Sequence, residues 1–333
     1  MRAIRVHRTG GPEVLQPENI AEPTPARGEV LLQLDAAGVN FIEIYQRTGL
    51  YRVPMPFTPG TEGAGRVISV GEGVTTVRIG DRVASVNLQG SYAEQALAPA
   101  DRVVQIPAAV ATGTAAAVML QGLTAHYLAA STYPVNRGTW CLVHAAAGGV
   151  GLLLCQIARE RGARVIGTVS SDAKAALAAA AGAEELVMYT RQDFVSEVRR
   201  ITKGRGVSVV YDSVGKTTFD GSLECLEPRG MLVLFGQSSG PVPPVDPQVL
   251  NNKGSLYLTR PTIKHYLASR EELEIRTNDL FEWIQRGSLS VRIDRTYDLE
   301  EAAEAHRALA SRETSGKLLL AITHAGQLPD QSV

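Results

Sequence analysis

Residues 144–151 read HAAAGGVG. The run that leads into them, 140–144 (WCLVH), is short and apolar, and after them Val150, Leu153, Leu154, Ile157 and Ala158 recur at helical spacing. A glycine-rich turn that leaves a strand and opens a helix is the frame of the dinucleotide fingerprint G-x-G-x-x-G. Laid on it, Ala146 takes the first glycine place, Gly148 the second and Gly151 the third, with Gly149 and Val150 between them. The second glycine lets the backbone approach a pyrophosphate, and the third lets helix and strand pack closely. The helix start offers unbonded N–H groups and a partial positive charge to phosphate oxygens. A tight turn without a ligand is the competing reading; the strand–turn–helix frame favours the site.

Outward from this motif, 164–169 (RVIGTV) is a buried type of strand, and 172–181 an alanine-rich helix stopped by Gly182. Residues 186–188 read as a brief strand and 193–202 as an amphipathic helix. The runs 207–211 (VSVVY), 231–235 (MLVLF) and 255–259 (SLYLT) continue the alternation. That order predicts a parallel sheet covered on both faces and doubly wound by right-handed crossovers. Toward the N-terminus the texture is β-rich. The run 29–35 (EVLLQLD) sets Val30, Leu32 and Leu34 on one face, and 66–70 and 82–86 are short β-branched runs. Gly71-Glu72-Gly73 and Gly80-Asp81 are turn chemistry between them, so a compact barrel-like unit is expected. Beyond Pro261, 270–286 and 299–309 read as helices, 316–322 as a closing strand and 324–333 as a loose tail.

Composition narrows the function. A chain of 333 residues suits about two domains at a prior of ~150 residues each. Lys+Arg at 33 against Asp+Glu at 34 leave a net charge of −1, which with the lack of a basic run argues against nucleic acid as a partner. Cys141, Cys155 and Cys225 are odd in number and scattered; they fit neither a disulfide framework nor a four-cysteine zinc site, and they suit a reducing cytoplasm. The N-terminus has Arg2, Arg5 and Arg8 but no apolar core of a signal peptide. Residues 103–136 hold no Asp, Glu, Lys or Arg, yet Pro107, Gly113, Gln121 and His126 interrupt them. We read buried helices at a domain junction there, not a membrane span.

The end of the strand after the fingerprint chooses the cofactor. An NAD site wants Asp or Glu there, ~20 residues on, for the ribose diol. This chain has Thr168-Val169-Ser170-Ser171, and Asp172 comes late and reads as a helix cap. Lys174 follows on the same turn. A missing anion and an added cation favour a 2′-phosphate, hence NADP(H). Lys174 and one further cation, at about 1.5–3 kcal/mol each, would give a preference on the order of 100-fold or more.

Further stretches carry a family resemblance: 36–51 (AAGVNFIEIYQRTGLY), the glycine cluster 60–65, 80–83 (GDRV), 122–128 (GLTAHYL), HAAAGGVG itself, 209–215 (VVYDSVG) and 254–261 (GSLYLTRP). With these, nearly the whole chain resembles the medium-chain dehydrogenase/reductase superfamily, in its zinc-free quinone oxidoreductase branch related to zeta-crystallin. The resemblance implies an α/β protein in which a doubly wound Rossmann nucleotide-binding domain joins a β-rich GroES-like catalytic domain. The expected boundaries are 1–125 for the first part of the catalytic domain, 126–262 for the Rossmann domain, and 263–333 for a return to the catalytic domain plus the tail. Zinc-dependent relatives place Cys where this chain has Asn40 and His where it has Thr61, and neither replacement is a normal zinc ligand, so no metal is expected. Without a Lewis acid, alcohol oxidation loses its main stabiliser.

The resemblance also implies the site. Asn40, Tyr45 and Tyr51 are expected beside the nicotinamide, where Asn40 or Tyr51 would hydrogen-bond a quinone oxygen. Ala146, Gly148, Gly149, Val150 and Gly151 would cradle the pyrophosphate. Lys174, Tyr189 and Arg312 would clamp the 2′-phosphate, with Ser170 at the same strand end. Ser213 and the turn from Phe235 through Gly236 and Gln237 to Ser238 would flank the ribose and nicotinamide. The family often has Lys where this chain has Gln121, which removes any role for that cation. The expected activity is NADPH-dependent reduction of a quinone in the interdomain cleft of a cytoplasmic enzyme. The alternatives are reduction of activated C=C bonds in enals and enones, and an NADPH-holding binding protein, of which RNA-binding relatives are one form. The run 255–259, from Ser255 to Thr259, is an apolar sheet edge; relatives pair it across a two-fold axis, so a homodimer is expected.

Overall fold

Val30, Leu32 and Leu34 are fully buried in a strand that runs Glu29–Val39 and share one core cluster with Ala37 and Val39, and Leu31 and Ala36 are buried as well. Other strands pair along both of its edges, and it organises the first of two compact units. The structure is a computed structural model that describes residues 1–323; the expected tail, 324–333, lies outside the described residues. Unit 1 comprises residues 1–120, 269–286 and the chain from 291 onward, and unit 2 comprises 121–268 and 287–290.

In unit 1, β1 (Arg2–Arg5) pairs antiparallel with β2 (Gln16–Asn19). Then come β3 (Glu29–Val39), α1 (Phe41–Arg47), β4 (Gly63–Val70), β5 (Arg82–Ser85), β6 (Gln95–Pro99) and β7 (Val103–Gln105). Helix α2 (Thr112–Tyr127) starts in unit 1 and ends in unit 2; it forms the middle of the uncharged stretch and is buried along most of its length. It closes in a π-helical turn, Leu128–Thr132.

Unit 2 alternates as the sequence predicts: β8 (Trp140–Val143), α3 (Gly149–Glu160), β9 (Arg164–Val169), α4 (Asp172–Ala181), β10 (Glu185–Met188), α5 (Phe194–Ile201), β11 (Val207–Asp212), α6 (Phe219–Glu224), β12 (Leu226–Leu234), α7 (Gln248–Asn252), β13 (Tyr257–Thr259) and α8 (Ile263–Tyr266). The sheet is parallel throughout, in the order β10-β9-β8-β11-β12-β13. The order reverses at β8, so the C-terminal ends of β8 and β11 form the switch point where doubly wound folds bind ligands.

The chain then completes unit 1 with α9 (Arg270–Gln285), β14 (Ile293–Asp298), α10 (Ala302–Ser311) and β15 (Lys317–Ala321). The sheet there runs β14-β15-β3-β4-β5-β7, with β6 also on β3. Along β3, residues 29–33 pair with β6 and residues 36–39 with β15, while β4 runs beside both stretches. This register sets the starts and ends of β15, β3 and β4 side by side.

Three readings change. The cap of α4 is Ser171, whose hydroxyl accepts the Lys174 N–H at 3.3 Å; Asp172 is the first helical residue. The edge strand is shorter than 255–259, because Ser255 holds a left-handed φ of 55° and cannot extend a ladder. Residues 299–309 split into a 3-10 turn, Leu299–Glu301, and α10. Helices α1, α6 and α7, at five to seven residues, are too short to show helical periodicity.

Candidate functional site

The fingerprint turn in unit 2 is shaped by missing side chains. A Cβ on Gly151 would strike the carbonyl oxygens of Ala145 and Ala146, and one on Gly149 would strike the Gln121 amide. Alanine in the first glycine place is possible because β9 carries Gly167: a Cβ there would lie 2.8 Å from that of Ala146. The left-handed residue of the turn is Ala145, with φ 51°. Ala146 ties the turn to β9, its N–H donating to the Thr168 carbonyl at 3.1 Å.

Helix α3 starts without a side-chain cap on Gly148. Its first bond is Leu152 N–H to the Gly148 carbonyl, at 2.9 Å, which leaves the N–H groups of Gly149, Val150 and Gly151 at the open end. The next helices differ: α4 is capped by Ser171, and α5 by Asp193, which accepts the Ser196 N–H at 2.8 Å. An uncapped twelve-residue helix over a glycine turn, at the switch point of a parallel sheet, is built for a pyrophosphate. The residues present therefore fit a dinucleotide.

The strand ends beyond it gather a second set. Ser170 directly follows β9, and its carbonyl accepts the Thr190 hydroxyl at 3.2 Å. Lys174 stands half-buried in the first turn of α4, and Tyr189 is 51% exposed just after β10. Arg191, which the sequence reading missed, grips Asp172 with both guanidinium nitrogens, at 3.0 and 3.4 Å. Asp172, the carboxylate that comes late in the sequence, is thus matched by a cation. On the other side of β8, Ser213 accepts the Ser238 N–H through its carbonyl at 3.1 Å, and the Phe235-to-Ser238 turn packs on it at Gly236. The site residues predicted between 146 and 238 all lie in unit 2, at or just beyond the C-terminal ends of its strands.

The remaining candidates are in unit 1. Arg312 caps α10 in a left-handed conformation, φ 62°. Tyr45, on α1, meets Tyr51 edge-on at 5.2 Å between centroids and Phe41 at 6.1 Å, which makes an aromatic wall. Asn40 has more partners than the sequence disclosed. Its Nδ2 donates to Glu62 Oε1 at 2.7 Å, and its Oδ1 accepts from Lys317 Nζ at 2.8 Å. Lys317 and Glu62 form an ion pair, both essentially inaccessible to solvent, and Glu62 Oε2 also accepts the Leu120 N–H at 2.6 Å. Gly38 leaves the space that the Glu62 carboxylate fills. These three residues come from the end of β3, the approach to β4 and the start of β15, which the sheet register sets side by side. No group of three or more His, Cys, Asp or Glu suited to a metal ion occurs among the described residues, and no helix among them is long and apolar enough to cross a membrane.

Glu43 lies next to this cluster and closes a capping box, accepting the Asn40 N–H at 2.8 Å. Burial pushes its carboxyl from an ordinary 4.5 up to about 8; Lys317 opposes the rise and Glu62 adds to it. The folded state therefore binds a proton between pH 4.5 and 8 that the unfolded state releases. Stability from this group is complete below its unfolded value and falls as pH rises toward 8, by at most about 1.4 kcal/mol per pH unit. Glu43→Gln is expected to remove that slope in urea unfolding measured from pH 5 to 8. Equal slopes for the variant and the parent would mean that Glu43 does not hold the proton.

Comparison with known proteins agrees with this geometry. Residues 26–108 match the family model for the alcohol dehydrogenase GroES-like domain, and residues 149–285 the model for zinc-binding dehydrogenase. The chain is 46% identical over 321 residues to a quinone oxidoreductase of Salmonella typhimurium, covering 95% of this chain and 98% of the relative. A 2-haloacrylate reductase of a Burkholderia species is 39% identical over 326 residues, covering 96% and 98%. Among solved structures, Escherichia coli quinone oxidoreductase complexed with NADPH superposes with a TM-score of 0.95 at 44% identity, over 96% of this chain and 100% of that one.

Proposed function

The chain belongs to the zinc-free quinone oxidoreductases of the medium-chain dehydrogenase/reductase superfamily, and from that membership we propose how its own residues serve the reaction. It is an oxidoreductase that passes reducing equivalents from NADPH to a quinone. The observation that carries the site assignment is the uncapped start of α3 over a turn where glycine leaves no Cβ. Gly148, Gly149, Val150 and Gly151 hold the pyrophosphate through backbone N–H groups, beside Ala146. Lys174 and Tyr189 hold the 2′-phosphate, with Ser170 beside them, and Ser213, Phe235 and Ser238 border the nicotinamide ribose. Bound NADPH supplies the reducing equivalents.

Tyr45 and Tyr51 offer a flat quinone an aromatic wall, and we assign the hydrogen bond to the quinone oxygen to the Tyr51 hydroxyl. Asn40 is the weaker choice because its carboxamide already serves Glu62 and Lys317. Its part is to hold the loop after β3 that leads into α1. Reduction of an activated C=C bond is the second reading, favoured by the likeness to the 2-haloacrylate reductase. A homodimer through the β13 edge fits the 57% exposure of Tyr257 there, and the three free, buried cysteines suit a cytoplasmic protein.

The test has two arms. NADPH and NADH are titrated by fluorescence, and NADPH oxidation is followed with 1,4-benzoquinone and with 2-hexenal. Tight NADPH binding with benzoquinone turnover is expected. Turnover of the enal alone would replace the quinone reading with the second one. Light scattering is expected to give twice the chain mass; a monomer would remove the dimer.

A further inference from the structure

We propose that His144, Ser222 and Asp212 form a buried hydrogen-bonded relay that locks the fingerprint turn to the turn at 213–215 and so positions the two ends of the dinucleotide against each other. The inference rests on the assignment of these turns to NADPH. His144 is the first residue of the fingerprint turn, at the end of β8, and Asp212 ends β11; both are at the switch point.

Asp212 is fully buried. Its Oδ1 accepts the N–H groups of Val214 at 2.8 Å and Gly215 at 3.0 Å, which shapes the turn that carries Ser213. The Thr218 hydroxyl reaches both carboxylate oxygens, at 2.9 and 2.7 Å, and the Ser222 hydroxyl donates to Oδ2 at 2.9 Å. Ser222, on α6, also lies 3.0 Å from His144 Nε2, and His144 Nδ1 lies 3.0 Å from the Thr168 hydroxyl on β9.

The donors fix the direction of the chain. Ser222 has one proton and gives it to the carboxylate, so its oxygen accepts from His144, and the imidazole proton is on Nε2. Nδ1 is then an acceptor, filled by the Thr168 hydroxyl. Burial lowers the basicity of His144 while Asp212 opposes that shift, in keeping with a neutral ring. One chain thus runs Thr168 to His144 to Ser222 to Asp212 to the Val214 and Gly215 amides. It joins β9, the fingerprint turn, α6 and the nicotinamide-side turn. These are positioning residues; none is required to touch the cofactor.

The relay makes a prediction that simple support of the fold does not. Ser222→Ala cuts the chain in the middle and leaves Asp212 its bonds to Val214, Gly215 and Thr218. Thr168→Val cuts it at the far end with little change in volume. For the full-length protein and both variants, affinities for NADPH and for adenosine 2′,5′-bisphosphate, which lacks the nicotinamide half, are measured by titration. Both variants are expected to bind NADPH about tenfold more weakly, with the bisphosphate within twofold of the parent. The 15N NMR signals of His144 are expected to show the proton on Nε2. Unchanged NADPH affinity, proportional loss of both ligands, or a proton on Nδ1 would overturn the relay. Failure of the parent protein itself to bind NADPH would overturn the cofactor assignment, and the relay's role with it.

Discussion

Replacing Lys317 by methionine is expected to destabilise the protein by about 3–5 kcal/mol, the usual cost of leaving one charge of a buried pair alone. The ammonium is fully enclosed, ion-paired with Glu62 and bonded to Asn40. Once it is gone, the Glu62 carboxylate is left to the Asn40 amide and the Leu120 N–H, in an environment where an isolated carboxylate is not tolerated. The double variant Lys317→Met with Glu62→Gln is expected to recover most of the loss, since neither charge remains to be compensated. Urea unfolding of the two variants beside the parent measures this. A cost below about 1 kcal/mol for the single variant, or a double variant no better than the single one, would contradict a charged, interdependent pair. Stability here reaches function through Asn40, because the same ammonium orients the carboxamide that starts α1, the helix that carries Tyr45.

That cluster shows what the sequence could and could not disclose. The fingerprint was legible because its residues are neighbours in the chain and their jobs are local: Gly148 opens a helix, and Gly151 lies against the carbonyls of its own turn. The strand–helix alternation was legible for the same reason, down to Gly182 as the stop of α4. Lys317 was not, because 255 residues separate it from Glu62 and sheet register alone joins them. A lysine before three leucines reads as a solvated strand start. Its signal was weak but present: Glu62 directly follows the position where zinc-dependent relatives carry a ligand. The partners of His144 were not legible either, since Ser222 lies 78 residues on, in a helix too short to detect. Asp172 was misjudged as a cap because Ser171 and Asp172 are both good caps and only backbone geometry separates them.

Lys174→Ala is expected to weaken NADPH by about 10- to 100-fold and to leave NADH nearly unchanged, so that the ratio of kcat/KM for the two cofactors collapses. The magnitude follows from one charge-assisted hydrogen bond to a phosphate, at about 1.5–3 kcal/mol. The structure sharpens the argument in two ways. Lys174 is on the first turn of a helix whose start is already capped by Ser171, so discrimination at the strand end falls to side chains. The carboxylate in the same turn, Asp172, would repel a 2′-phosphate, and Arg191 holds it in a two-pronged grip. Arg191→Ala should therefore also lower the preference for NADPH, but only several-fold, because the pair is exposed and screened. Asp172→Asn should raise it. Steady-state kinetics with both cofactors at low and high salt separates these contributions, since the Arg191 effect fades with ionic strength. Equal losses for NADPH and NADH in Lys174→Ala would move the lysine from the 2′-phosphate to a part of the cofactor that the two share.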